Sequence, residues 1–297
     1  SENVIKSFDS KVKFFEISSF SKKLKELKGK IWLDGNSCPS VIKDLISSRK
    51  TKILNSADPI LSIKSIKNKV EIRNNKIAHR KDGLAMINLI YWIEKNKRRK
   101  ISELDIIELL AELRKKATNY FGPSFDTICG SGPNGAIIHY RANLGTNRII
   151  KSGDLILIDS GGQYLEGTTD ITRTIGFGKM NYLKQKHYTL VLKGMIAVSK
   201  LKWPIGLSGR DLDSIARYHL WQEDLDYEHG TGHGVGSFLS VHEGPHAISK
   251  RNEVELRPGM LVSNEPGFYS QDSYGIRIEN LLLIKEPKKL TRLQKIP

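Results

Sequence analysis

Residues 155–174 read LILIDSGGQYLEGTTDITRT, and the fold turns on how this stretch is read. Leu155-Ile156-Leu157-Ile158 is short for a helix and fits a buried strand. Gly161-Gly162 marks a reversal, and the β-branched run Thr168–Thr174 fits a second strand. A connection this short joins strands antiparallel, because a parallel return needs a crossover of a dozen residues or more. The hairpin carries Asp159 and Asp170, eleven residues apart, and can bring both carboxylates to one end. Taken alone, an aspartate at a strand end is more often a turn-former.

Further β-rich runs lie at Ala136–Tyr140, Met260–Asn264 and Tyr274–Ile284. Helical patterns occupy Ile77–Lys95, a stretch opened by Ser102 with Asp105 as an approximate capping box, and about 182–201 and 208–222. In Ile77–Lys95, Leu84, Ile87 and Tyr91 share one face while Met86, Leu89, Ile90 and Ile93 fill the rest; a helix apolar nearly all round belongs in a core. Helices segregated from antiparallel strands predict an α+β layer fold. Ahead of this region the chain reads as alternating α/β. Ile31–Leu33 is a strand ended by Asp34-Gly35, Pro39–Ser48 a helix capped by Ser37 or Ser40, Thr51–Leu54 a strand, and 61–76 a connecting helix. These features predict a thin α/β segment with linker at 1–75, the tail of something larger, and an α+β domain at 76–297.

A chain of 297 residues, 39% hydrophobic and 27% charged, has the composition of a soluble globular protein. No apolar run reaches the roughly 18 residues of a membrane span, and Ser1-Glu2-Asn3 opens no secretory segment. Cys38 and Cys129 alone make no disulfide framework, so a reducing cytoplasm is expected, with Cys129 a small buried residue. The net charge of +16 is concentrated in residues 1–100, which hold 24 Lys and Arg against 10 Asp and Glu. That excess reads as a lysine-rich solvated surface rather than a polyanion site, because no recognition motif with interleaved aromatics or zinc-finger spacing accompanies it.

Three further segments carry candidate chemistry. HGTGHGVG (229–236) surrounds His233 with glycines that let the backbone pack closely or take unusual dihedrals; it lacks the phosphate-loop pattern. Glu265 precedes Pro266, and in GIRIEN (275–280) period-2 alternation sets Arg277 and Glu279 opposite Ile276 and Ile278. If Asp159, Asp170, His233, Glu265 and Glu279 converge, their buried charge demands cations, since a buried unpaired carboxylate costs several kcal/mol. A pair of divalent metals is the natural counter-charge.

Taken in order, SGPNGAIIHY (131–140), LIDSGGQYLEGTTDITRT (157–174), LDYEHGTGHGVGSFLSVHEGP (225–245), NEPGFY (264–269) and YGIRIEN (274–280) resemble the catalytic domain of the pita-bread metallopeptidases. Within that family the resemblance is to the cytosolic, three-domain Xaa-Pro aminopeptidases (aminopeptidase P), over about Ile77 to Lys288. It implies that Asp159 chelates one metal, that Asp170 and Glu279 are shared by two, and that His233 and Glu265 complete the shells. It implies active-site positions for His139, His229 and His242, with His139 and His229 flanking the substrate proline, and supporting positions for Arg277 and Tyr269. Mn²⁺ is the implied metal; the oxygen-rich set also admits Co²⁺, Fe²⁺ or Zn²⁺.

The implied reaction is attack of a metal-activated hydroxide on the bond preceding a proline in second position. Glu265 would take and return the proton, and His242 would stabilise the oxyanion. The implied partners are peptides with proline second and, given the region that precedes this domain in the family, a second copy in a homodimer. Residues 1–75 match only the end of that region and the family continues past Leu290, so a fragment or a separate partner chain is expected. The alternatives are a prolidase-type dipeptidase with the same ligands and a non-catalytic pita-bread module that binds peptides. A methionine aminopeptidase fits less well, because the sequence around its ligand histidine differs.

Overall fold

The computed structural model describes residues 11–286. The polar start Ser1-Glu2-Asn3 and the end of the family resemblance at Lys288 lie outside the described residues. Chain contacts divide the molecule into two compact units, with the division between Ser62 and Ile63. The expected boundary at 75/76 falls within a helix of the second unit.

In the first unit, β1 (Gly29–Leu33) pairs in parallel with β2 (Thr51–Asn55), Ile31 opposite Ile53. The short helix α1 (Phe20–Lys25) precedes them and α2 (Ser40–Ile46) connects them, burying Ile46. The α/β reading holds here, except that Pro39 and not a serine side chain stands at the start of α2.

Helix α3 (Pro59–Ser65) runs across the division and ends before α4 (Lys69–Lys95) of the second unit, so the single connecting helix expected at 61–76 is two. Ile66 bridges to Met260 between them, and Asn68 with Glu71 forms a capping box that starts α4 afresh. Helix α5 (Glu103–Lys115) opens on the Ser102–Asp105 capping box. The inner face of α4, with Ala85, Met86, Leu89 and Ile93, packs on Ile106 and Leu110 of α5 and on Cys129, Ile156, Ile158 and Phe177. Leu84, Ile87 and Tyr91 instead stand more than 60% exposed. The helix covers one side of a sheet, so one stripe suffices and the all-round burial expected of it does not occur.

That sheet is centred on β4 (Asp154–Tyr164), flanked antiparallel by β3 (Tyr120–Ser131) and β6 (Ile171–Phe177), with β5 (Gly167–Thr168) at its end. Ile156 and Ile158 face the helices α4 and α5, whereas Leu155 packs with Leu190, Tyr274 and Ile276 on the opposite side. Burial on both faces explains the unbroken apolar run. Gly161-Gly162 is no reversal: β4 continues through it and turns at Leu165-Glu166. Gly161 is required because a Cβ there would lie 2.0 Å from the carbonyl oxygen of Thr169. Strand β3 carries turn-like Gly122 and Pro123 and three register shifts, so its sequence hides it. Ala136–Tyr140, expected as a strand, forms none: Ala136 ends a 3₁₀ turn at Gly132–Ala136 and the rest is irregular. Its polar partner is Glu103, which accepts from Ser131 N, Arg148 N and the Tyr140 hydroxyl.

Helices α6 (Tyr182–Lys200) and α7 (Gly209–Trp221) cross at Gly194, where a Cβ would meet the Ala216 carbonyl at 2.1 Å. Two-stranded pairs complete the unit: β7 (Gly232–His233) with β8 (Ala247–Ile248), β9 (Leu261–Asn264) with β12 (Asn280–Leu283), and β10 (Gly267–Ser270) with β11 (Tyr274–Arg277). The expected strand Tyr274–Ile284 is thus two strands, broken at Ile278-Glu279.

One buried ion pair ties the layers together. Arg114 donates to both oxygens of Asp82 at 2.7 and 3.1 Å and to Ser160 Oγ at 3.0 Å, while the Tyr164 hydroxyl donates to Asp82. Helices α4 and α5 are thereby fixed to β4 beside Asp159. Asp82→Ala leaves the Arg114 charge buried without its partner. Urea unfolding of that variant should show a loss of about 3–5 kcal/mol; a loss below about 1 kcal/mol would contradict this role for the pair.

Candidate active site

Each candidate ligand is delivered by a different local device. Asp159 stands opposite Ile128 of β3 and Thr172 of β6. Asp170 is the residue before β6. Glu279 occupies the break between β11 and β12 and is stitched to β6 by Glu279 N to Thr172 O at 3.2 Å and Thr172 Oγ1 to Glu279 Oε2 at 2.7 Å. His233 lies on β7, and Glu265, just after β9, donates its backbone N–H to Thr231 O at 2.8 Å. Gly232 and Gly234 have ordinary dihedrals. Their role is close approach, since a Cβ on either would meet the carbonyl oxygens of Ser263 and Glu243 at 1.8 and 2.1 Å.

These devices converge. Ligand atoms of Asp170, His233 and Glu279 all lie within 4.8 Å of one another. His233 Nε2 is 3.4 Å from Asp170 Oδ2 and 3.2 Å from Glu265 Oε1. Asp159 joins through Arg277, whose Nη2 donates to Asp159 Oδ2 at 2.6 Å and whose Nε stands 4.0 Å from Glu265 Oε2. Ser263 orders two of the set: its hydroxyl accepts from His233 N and donates to Glu265 Oε1, both at 2.9 Å.

The electrostatics are those of a site short of positive charge. Burial lifts the Asp170 carboxyl to about 7 although His233 pulls it down. Burial, then the charges of Asp170 and Glu265, hold Glu279 well above the usual carboxylate range. For Glu265, burial is outweighed by the hydrogen bond and charge of His233, which bring it to about 2. Burial likewise opposes the His233 imidazolium, but Asp170 and Glu265 raise it well above its ordinary value. The His233 proton therefore occupies the place of a cation between two carboxylates.

The donor set fits divalent metal. Asp159 Oδ1 and Glu279 Oε1 are buried and lack a hydrogen-bond partner, while the second oxygen of each is held, by Arg277 and Thr172 respectively. His233 Nδ1 gives its proton to Gly234 O at 3.0 Å, so in the neutral ring Nε2 is a lone-pair donor facing the carboxylates. Oxygen-rich donors with one imidazole suit Mn²⁺ and its neighbours.

The three other histidines differ in setting. Burial keeps the His229 imidazole below its usual range; its Nδ1–H donates to Gly230 O at 2.7 Å, so Nε2 accepts from the Tyr269 hydroxyl at 2.8 Å. Tyr269, pushed up to about 12 mainly by burial, also accepts from Arg277 Nη1 at 2.6 Å. His242 is exposed and stands edge-on to His233, ring centres 4.2 Å apart. His139 is exposed on the segment after the 3₁₀ turn, next to Ile138, whose carbonyl accepts from Arg277 at 3.4 Å.

Sequence reading missed Thr172, Ser263 and the pair Asp213–Arg217. Arg217 binds Asp213 and donates to the carbonyls of Tyr227 and His229, which fixes the loop leading to His233. Ser263 had a legible signal, its period-2 spacing from Glu265; Arg217, distant in sequence, had none.

Asp170, near 7 folded against an ordinary 3.8, binds its proton more tightly in the folded chain. Its contribution to stability is full below about pH 4 and is lost as pH rises to about 7. A divalent cation needs that carboxylate bare, so metal binding strengthens over the same interval. Added Mn²⁺ should raise the melting temperature slightly at about pH 5 and substantially at about pH 8. An equal rise at both, in scanning fluorimetry, would rule out Asp170 as a ligand.

The profile of metallopeptidase family M24 matches residues 73–286. A probable Xaa-Pro aminopeptidase P of Tuber melanosporum is 44% identical over 310 aligned residues, covering 97% of this chain and 50% of its own length. One from Aspergillus fumigatus is 49% identical over 234 residues, 77% of this chain and 36% of the relative. The chain thus spans half or less of the length of these curated relatives. Among solved structures, X-prolyl aminopeptidase from Caenorhabditis elegans, described as a cytosolic enzyme with a di-nuclear active site, superposes with a TM-score of 0.81 at 35% identity. That match covers 89% of this chain and 44% of the other. Prolidase from Pyrococcus furiosus gives 0.76 at 30% identity, covering 93% and 78%. The buried carboxylates and imidazole are thus held on a pita-bread fold, and the chain belongs to metallopeptidase family M24.

Proposed function

We propose that this chain carries the catalytic unit of an Xaa-Pro aminopeptidase, which removes the N-terminal residue of peptides with proline in second position. The observation that carries the reading is the set Asp159, Asp170, His233, Glu265 and Glu279 with two bare, buried carboxylate oxygens. Two divalent ions, Mn²⁺ by preference, would be held by these residues, with Asp170 and Glu279 between them. When bound, such ions supply Lewis acidity toward a water and toward the scissile carbonyl. That chemistry suits a tertiary amide bond, which has no N–H for a peptidase to grip.

The chain's own residues do the rest. Glu265 Oε1 is committed to Ser263 and His233, so Oε2 is the atom that accepts and returns the proton. His242, exposed at the site yet drawn below its usual range chiefly by partial desolvation, is neutral at about pH 7 and retains an N–H to donate to the developing oxyanion. His139 and His229 would flank the proline ring. Arg277 and Tyr269 fix Asp159 and His229 in one hydrogen-bonded string. The residues ahead of this unit would form the end of an α/β domain, and a homodimer and a cytoplasmic location would follow from the likeness to the three-domain aminopeptidases. Among the described residues no helix is long and apolar enough to cross a membrane.

The second reading is a prolidase, since the Pyrococcus furiosus enzyme shares the fold at 30% identity. Incubation with Mn²⁺ and either Arg-Pro-Pro or an Xaa-Pro dipeptide separates the two. Arginine release from the tripeptide is expected; cleavage of the dipeptide alone would favour the prolidase. Hydrolysis of neither, with metal bound, would favour a peptide-binding module. His242→Ala should lower kcat about 100- to 1,000-fold with metal retained. Asp170→Asn should lose metal and activity together; equal metal loss in both would erase the distinction between ligand and oxyanion donor.

A further inference from the structure

His242 lies in a stretch, 235–246, that no strand or helix supports, yet its ring stands edge-on to that of His233, 4.2 Å between centres. The next residue, Glu243, is 5% exposed and is held by two lysines from far upstream. Lys67 Nζ, itself buried, lies 3.3 Å from Glu243 Oε1, and Lys64 Nζ lies 3.1 Å from Oε2. Lys67 Nζ also donates to Lys64 O at 2.9 Å, so the two lysines are ordered together.

Their segment is built into the unit that carries the site. Lys67 N donates to Gly259 O at 2.9 Å, and Ile66 bridges to Met260. Gly259 has φ +90°, and a Cβ there would meet Ile66 at 2.9 Å. From the other side, Glu243 N donates to Gly234 O at 2.8 Å, one residue after His233. A Cβ on Gly236 would strike Glu243 Oε2 at 2.7 Å, so the loop closes tightly around this carboxylate.

We propose that Lys64, Lys67 and Glu243 form a clamp by which the segment ahead of α4 sets the position of His242 for the reaction, Glu243 acting as a positioning residue. The inference rests on the peptidase reading above. A freed Glu243 lets the 240–245 turn slip from Gly234, and His242 loses its place over the reacting carbonyl. Lys67→Met and Glu243→Gln should each lower kcat about 10- to 100-fold with KM and bound metal nearly unchanged, and Lys67→Arg should restore most of the loss. If Glu243 acts through His242, adding Glu243→Gln to His242→Ala slows the enzyme no further. Multiplied losses in the double variant would overturn the proposal.

A second readout is independent of turnover. Long-range ¹H–¹⁵N spectra, with His242 assigned through His242→Ala, should show its ring signals shifted or broadened in Lys67→Met while those of His187, held on α6 by the Tyr274 hydroxyl at 2.8 Å, stay. Unmoved His242 signals would sink the clamp. An inactive parent chain with the shift present would remove the peptidase reading and leave the clamp standing.

Discussion

Four carboxylates gathered under cover around one imidazole constrain everything else in this molecule. Asp159, Asp170, Glu265 and Glu279 repel one another in a low-dielectric setting, where each bare charge costs several kcal/mol. The fold does not relieve this by exposing them. It holds one oxygen of Asp159 with Arg277 and one of Glu279 with Thr172, and leaves the other oxygen of each without a partner. Without metal the deficit is met by protons, on Asp170, Glu279 and His233. Such a site is preorganised for cations because the scaffold, and not the ligands' mutual affinity, keeps it assembled.

That scaffold works through buried guanidinium groups. Arg114 ties α4 and α5 to β4 at Ser160, Arg217 ties α7 to the loop before His233, and Arg277 ties β11 to Asp159 and Tyr269. Buried ion pairs add little net stability against apolar replacements. Their value here is geometric: a planar fork with five donors fixes carbonyls and carboxylates at set angles. Each of the three sits one step behind a group of the site.

Much of this was legible in the chain. The apolar run 155–158 ending in Asp159, the glycines around His233 and the ordered motifs identify the ligands and the family. The turn at Gly161-Gly162 was misread because both glycines serve close backbone approach, which looks in sequence like a reversal. Strand β3 was not legible because Gly122 and Pro123 interrupt it where bulges absorb them. Leu84, Ile87 and Tyr91 look like core and lie outside, since periodicity reports an amphipathic helix but not how many faces find a partner.

The sequence by itself determined residue types and local backbone options: which segments alternate, which cap, and which positions can tolerate only glycine. Those are properties of a few neighbouring residues. Only the tertiary structure decided which oxygen of each carboxylate is free, which histidine nitrogen carries a proton, and that Lys67 answers Glu243 across 176 positions. Those outcomes depend on distances between segments that share no local pattern, and on a burial that exists only once β4, β6, β9 and β11 have closed around the site.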